Sequence, residues 1–122
     1  MNKFDAITGV PAKDCIIDGK VVAFLVTPED LEKSLGPDGL KIKALAKHLG
    51  KRVEVFAMHE KVEDFIANAF PQIHFISIER KNKSVFTRME SNEKIKIIQN
   101  MGRFKRIKTF AERDYNIDEI KF

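Results

Sequence analysis

Apolar positions along the chain change their spacing several times, and each change marks an element. Asp14 to Ile17 and Lys20 to Val26 are β-branched runs separated by Asp18-Gly19, a two-residue hairpin signal that predicts two antiparallel strands. From Thr27 the spacing turns helical. Thr27 is placed to cap a helix with its side chain, Pro28 suits the first helical position, Glu29 and Asp30 complement the positive dipole end, and Leu31 and Leu35 share a face. Gly36 closes this helix and Gly39 opens the next, in which Ile42, Leu45, Ala46 and Leu49 recur at helical spacing. Gly50 stops it, and Val53, Val55 and Ala57 alternate as in a strand. Residues 1–13 hold Gly9 and Pro11 and show no period, so they predict mostly loop, with Phe4 and Ile7 as a short apolar anchor.

The same order returns further along. Glu60 to Phe70 predicts a helix with Val62, Phe65, Ile66 and Ala69 on one side, stopped by Pro71. Ile73 to Arg80 and Ser84 to Met89 predict a second hairpin around Lys81-Asn82-Lys83. Ser91 or Asn92 can cap a helix carrying Ile95, Ile97 and Ile98; then come Gln99-Asn100-Met101-Gly102, a helix with Phe104, Ile107, Phe110 and Ala111, and a strand over Ile117 to Phe122. A period near 63 residues relates the halves, bringing Thr27 near Ser91, Leu35 near Ile98, Leu45 near Ile107 and Val53 near Ile117. The pattern predicts two units, 1–59 and 60–122.

Two helices joined by Gly-x-x-Gly and followed by a strand form the nucleic-acid-clamping part of a KH domain. There the glycines let backbone approach a sugar-phosphate chain of about four nucleotides, and the second helix aims its first amides at phosphate. The bland alternative is a helical hairpin whose glycines are only caps, and the recurrence of the whole unit weighs against it. Charge sharpens the picture. Residues 71–122 carry twelve Lys or Arg against seven Asp or Glu, a net +5, whereas residues 1–70 net −1. Between Lys94 and Lys108 stand Lys94, Lys96, Arg103, Lys105, Arg106 and Lys108 with no acid, the kind of stripe that phosphate contacts need.

Other chemistry finds little footing. At 122 residues, 43% hydrophobic and 33% charged, the composition suits one small domain or two very small ones. No apolar run approaches the ~20 residues that span a bilayer, and Met1 to Asp5 lacks a secretion-signal pattern, so a cytoplasmic protein without membrane association is expected. His48, His59 and His74 are scattered and Cys15 is alone, a small apolar filler rather than a nucleophile, so neither a metal nor a cofactor is expected. The carboxylate pairs Glu29/Asp30, Glu63/Asp64 and Asp118/Glu119 are sequence neighbours that point apart. With no phosphate loop and no nucleophile turn, neither an enzyme nor a small-molecule substrate is expected. Phe24, Phe65 and Phe104 fall at core periods.

Beyond these patterns lies a specific resemblance. Ile7-Thr8-Gly9, Asp14-Cys15-Ile16-Ile17-Asp18, the Gly36 to Gly39 loop, Leu49-Gly50-Lys51-Arg52-Val53-Glu54-Val55 and Tyr115-Asn116-Ile117-Asp118-Glu119-Ile120 resemble the archaeal NusA-like transcription factors. The resemblance implies two tandem type II KH units, each a three-stranded sheet with helices on one face, in an α/β (α+β) protein that binds RNA in transcription elongation or termination. It also implies that the Glu60 to Phe70 helix opens the second unit and that the first unit's leading helix is short or absent. Such loops usually read Gly-Lys-Gly-Gly; here the first reads Gly36-Pro37-Asp38-Gly39, which loses an amide donor at Pro37 and gains a negative charge at Asp38, and the second has Gln99 in place of its first glycine.

The expected ligand is therefore single-stranded RNA, a nascent transcript. Gly36 and Gly39 would allow close backbone approach, and the amides of Gly39 and Gly102 with Lys41, Lys43, Arg103, Lys105 and Arg106 would hold the sugar-phosphate chain. Leu40 and Ile42 would contact bases, and the second unit would dominate. The rival expectation is a degenerate KH scaffold that docks on RNA polymerase or a ribonucleoprotein.

Overall fold

The computed structural model describes the backbone of residues 2–122 and the side chains of residues 3–122. Met1, on which part of the reading of the chain's start rests, lies outside the described residues. The first β-branched runs fold into a hairpin, β1 (Asp14–Asp18) and β2 (Val21–Val26), with Asp14 opposite Leu25 and Asp18 opposite Val21. The chain then leaves the sheet through a 3-10 turn at Pro28–Asp30, α2 (Leu31–Leu35), a second 3-10 turn at Pro37–Gly39, and α3 (Leu40–Leu49). It returns as β3 (Arg52–Ala57), parallel to β2, giving the order β1-β2-β3.

The plan repeats as α4 (Val62–Ala69), the hairpin β4 (Ser77–Lys81) and β5 (Ser84–Arg88), α5 (Ser91–Ile98), α6 (Met101–Tyr115) and β6 (Glu119–Lys121). β6 lies parallel to β5, and the order is β4-β5-β6. The chain divides into two compact units, Met1–His59 and Glu60–Phe122, and its architecture is that of two tandem KH-like units of mixed α/β structure.

Each unit closes its core between the helices and one face of its sheet. In the first, Val22, Phe24 and Val26 of β2 and Leu45 of α3 are buried with Phe4 and Val10, and Val53, Val55, Leu31 and Ile42 pack on them. In the second, Val62, Phe65, Ile66 and Ala69 of α4 are buried, as are Val85, Ile97, Phe104, Ile107, Phe110 and Ile120. The rings of Phe65 and Tyr115 stack at 5.1 Å, and Phe104 meets Phe70 at 6.5 Å and Phe122 at 5.1 Å. Burial beside Phe65, together with the charges of Asp114 and Asp64, pushes the Tyr115 hydroxyl well above its ordinary ionisation range.

The structure departs from the sequence reading in four places. The N-terminal segment is not mostly loop: Asn2–Thr8 is a helix, α1. Seven residues are too few to show a period, and what holds them is tertiary, because Phe4 is buried and stacks on Phe24 at 4.3 Å while Thr8 Oγ1 donates to Phe4 O at 2.6 Å. Neither predicted side-chain cap forms. Asp30 N bonds the Thr27 carbonyl at 3.0 Å in a 3-10 turn, and the cap of α5 is Glu90, whose carbonyl takes the Glu93 amide at 2.9 Å.

Strand β4 begins at Ser77 rather than Ile73, because Ile73 N turns back to Phe70 O and His74 N is taken by the Glu93 carboxylate; the first bond to β5 is Ile76 N to Arg88 O at 2.7 Å. Last, α6 runs to Tyr115 and ends on left-handed Asn116, so the strand is Glu119–Lys121 and the partner of Val53 by sheet register is Ile120, not Ile117. Since Phe4 is a core residue of the first unit, Phe4→Ala is expected to cost about 3–5 kcal/mol. Chemical denaturation checks it; a loss below about 0.5 kcal/mol, the scale of a surface change, would restore the loop reading.

Candidate nucleic-acid interface

The two helix hairpins differ at the point where they would meet a sugar-phosphate chain. In the first, Gly36 adopts φ 73°, ψ 177°, Asp38 φ 53° and Gly39 φ 72°, so three of the four loop residues hold positive φ. The Gly36 conformation is open essentially to glycine alone. A second constraint acts there too, because a Cβ on Gly36 would stand 2.7 Å from Lys41 Cγ. The lysine stem crosses the loop at that point and delivers its ammonium to two carbonyls, Thr8 O at the end of α1 and Lys33 O in α2, both at 3.1 Å. The Lys41 charge thus ties three helices together. The Gly39 amide is likewise engaged, bonding Gly36 O at 3.1 Å. Ile42 packs on the core, whereas Leu40, 58% exposed, and the charged residues Asp38 and Lys43 are open to solvent.

In the second hairpin there is no Gly-x-x-Gly turn. Gly102 lies inside the first turn of α6, and Phe104 N makes the first bond of that helix, to Asn100 O at 3.2 Å, so the earlier amides precede the helical ladder. The basic stripe divides by environment. Arg103 places Nε at 3.1 Å and Nη2 at 2.8 Å from Ala69 O, closing the C-terminus of α4 with a forked guanidinium. Arg106 is buried, and its Nη1 lies 3.1 Å from where a Cβ on Gly102 would stand, so this glycine makes room for a guanidinium. Lys96 bonds Gln72 O at 3.0 Å and Glu93 at 2.6 Å. Lys94 and Lys105 are exposed.

The sequence reading passed over two residues of this surface. Ile95, Ile97 and Ile98 of α5 were named together without a division between core and surface; only Ile97 is buried, and the others are 51% and 61% exposed. A signal was present: at 100° per residue, positions 95, 97 and 98 cannot share one face of a two-turn helix. Exposed isoleucines three apart, with Lys94 just before the first of them and Lys105 on the next helix, combine apolar area for bases with charge for phosphates. A cavity of about 210 Å³, lined by Phe4, Cys15, Ile17, Phe24, Leu49 and Lys51, lies at the far end of α3. Ten helical residues span about 15 Å, so it is not part of the Gly36 to Gly39 loop. No group of three or more His, Cys, Asp or Glu among the described residues could hold a metal.

Two predictions follow from these contacts. Gly36→Ala should destabilise the protein by about 1–3 kcal/mol, and Lys41→Ala in the same chain should recover part of that loss, as read from a double-mutant denaturation cycle; strict additivity would mean that the lysine stem is not what the new methyl meets. Lys96 and the His74 amide, at 2.6 Å, hold the Glu93 carboxyl below its ordinary value of 4.5. A depressed carboxylate stabilises the fold above its unfolded pKa and loses that contribution as pH falls through the folded value. The stability difference between the native chain and Glu93→Gln should therefore be constant above pH 5 and shrink below about 4.5 in melts over a pH series.

Comparison with known proteins places these observations in a family context. No family model matches the chain. It is 28% identical over 122 residues to a protein of Halococcus morrhuae named probable transcription termination protein NusA, covering 97% of this chain and 88% of that one. A protein of the same name from Methanocaldococcus jannaschii is 28% identical over 95 residues, covering 76% of this chain and 52% of its own length. Among solved structures, the crystal structure of APE1850 superposes with a TM-score of 0.82 at 26% identity, covering 98% of this chain and 92% of that one. Over nearly its whole length the chain is thus similar in sequence to archaeal proteins named probable NusA, and its fold matches that of a solved structure.

Proposed function

We propose that this chain is an RNA-binding transcription factor of the NusA type that holds single-stranded RNA on the helix hairpin of its second unit. The observation that carries the reading is the exposed apolar pair Ile95 and Ile98 on α5, with Lys94 exposed on the same helix and Lys105 exposed on α6, in the hairpin of a KH-like unit. Relatives named as transcription termination proteins supply the biological setting. On this reading the first-turn amides of α6 at Met101 and Gly102 meet phosphate, Lys94 and Lys105 add charge from the two helices, and the isoleucines lie against base faces. Arg103 and Arg106 act by shaping the hairpin rather than by touching RNA. The work is binding, and no catalytic group is invoked.

The first unit fits a different task. Its loop presents Asp38 where a phosphate would pass and spends Lys41 on internal carbonyls, so it contributes little to RNA affinity and is free to serve as a contact for RNA polymerase or another protein of the transcription complex. Fluorescence anisotropy with short single-stranded RNAs over a salt series tests the assignment. Lys94→Glu with Lys105→Glu should weaken binding about tenfold or more and flatten the log–log salt slope by about 1.4, the share of two phosphate contacts on a single strand. Asp38→Lys in the first loop should change affinity little. Unchanged binding in the double variant, or absence of RNA binding by the native chain at low salt, would give the protein-scaffold reading the better claim.

A further inference from the structure

The two sheets share strand order and register, so their faces can be compared position by position. On the helix-packed face, Cys15, Val22 and Val53 of the first unit correspond to Ile78, Val85 and Ile120 of the second. On the opposite face the units part company. Ile16, Ala23, Leu25 and Glu54 are all buried in the first. At the corresponding positions the second has Glu79, Phe86, Arg88 and Lys121, of which all but Phe86 are exposed and Phe86 is half-buried. Lys81, exposed at the end of β4, stands on the same face, and exposed Lys83 lies in the turn beside it.

Phe86 is at the centre of this face, on the middle strand. Lys81 Nζ, from β4, lies 5.8 Å from its ring centroid, and Lys121 Nζ, from β6, lies 5.4 Å from it. Of the two acids present, Glu119 is already engaged by Ser84 Oγ at 2.8 Å and by Lys121 at 3.6 Å, so Glu79 is the main counterweight to Lys81, Lys83, Arg88 and Lys121. A sheet face that needs only to be soluble has no use for a phenylalanine at its centre, whereas an aromatic ring bracketed by cations suits a ligand that is flat and apolar in one part and anionic in the next. An acidic peptide would use the charges and leave the ring without a role.

We propose that the open face of β4–β6 is a second contact surface for single-stranded RNA, with Phe86 stacking a base and Lys81, Lys83, Arg88 and Lys121 meeting the flanking phosphates. The proposal rests on the RNA-binding reading above and adds a site outside the helix hairpin. A base that settles on Phe86 displaces one ammonium from the ring, and the flexible lysine stem lets that charge swing onto the neighbouring phosphate. Because α5 and α6 cover the other face of the sheet, one RNA must pass around the sheet edge to reach both surfaces, which takes more than the roughly four nucleotides that a KH groove holds.

Anisotropy titrations with a labelled hexanucleotide and a labelled 20-nucleotide single strand test this in the full chain. Three variants are compared with the native protein: Lys81→Glu with Lys121→Glu, Phe86→Leu, and Lys94→Glu with Lys105→Glu. Phe86→Leu keeps apolar volume and removes the stacking face, and circular dichroism melts check that each variant folds. The two sheet-face variants should weaken binding of the 20-nucleotide strand by about fivefold or more, the charge reversal should flatten its salt slope by about 1.4, and the hexanucleotide should still lose affinity with the hairpin variant. Native-like binding of the long strand by both sheet-face variants, while the hairpin variant loses it, overturns the second surface and leaves the RNA-binding reading intact. Binding of neither RNA by the native chain overturns both. Retained RNA binding together with lost polyglutamate binding in the sheet-face variants overturns the proposal in favour of an acidic protein partner.

Discussion

Parallel pairing of β2 with β3, and of β5 with β6, is the constraint on which everything else hangs. Antiparallel neighbours can be joined by two residues, as Gly19 and its neighbours do, but a parallel partner requires the chain to leave the sheet, travel its length and come back. In each unit that excursion is the helix hairpin. The turn between the helices is therefore held from both sides by strands, and its placement is as firm as the sheet itself. A site built there inherits rigidity from hydrogen bonds elsewhere in the unit, and this is why the residues of a hairpin turn matter beyond their own contacts.

The second theme is how the protein uses its cations. Lys41, Lys96 and Arg103 all end on backbone carbonyls and Arg106 is buried, so three basic residues that look like ligands for phosphate are engaged by the protein's own backbone and a fourth is withdrawn from the surface. Charged hydrogen bonds to carbonyls at helix ends complement the negative dipole end and satisfy acceptors that would otherwise be left bare. The glycines follow from the same arrangement. Gly36 lets the Lys41 stem pass and Gly102 admits the Arg106 guanidinium, so each spares space for a cation as well as for backbone.

This explains what could be read in the sequence and what could not. Hairpins, helix order, the existence of the return strands and the buried phenylalanines were legible, because each is written in local spacing: Asp18-Gly19 between β-branched runs, Leu45 and Leu49 on one stripe, Phe65 and Ile66 on one side. The helix α1 was not, since Phe4 is fixed by a ring twenty residues away in sequence rather than by its neighbours. The start of β4 was misplaced for a similar reason, as the His74 amide is claimed by Glu93 of another element. For the candidate interface, net charge pointed to the Lys94 to Lys108 segment but could not tell Lys94 and Lys105, which are exposed, from Arg103, which caps a helix. Charge counts are local, whereas the destination of a long side chain is set by the fold.

The parallel return strands also fix the order in which the protein can be completed as it is made. Each hairpin pairs residues close in sequence and can form as soon as it is synthesised, but sheet closure in the first unit joins Val21 to Arg52, and in the second Ser84 to Glu119. Such long loops are slow to close, and an apolar hairpin face stays uncovered until they do. The first unit has all its strands before α4 emerges, so it can finish while the second is still being made. The second waits for β6, holding Val85 and Thr87 without their outer neighbour until Ile120 and the Lys121 carbonyl arrive. Of the two units, the second is the one exposed for longer to wrong pairing during synthesis.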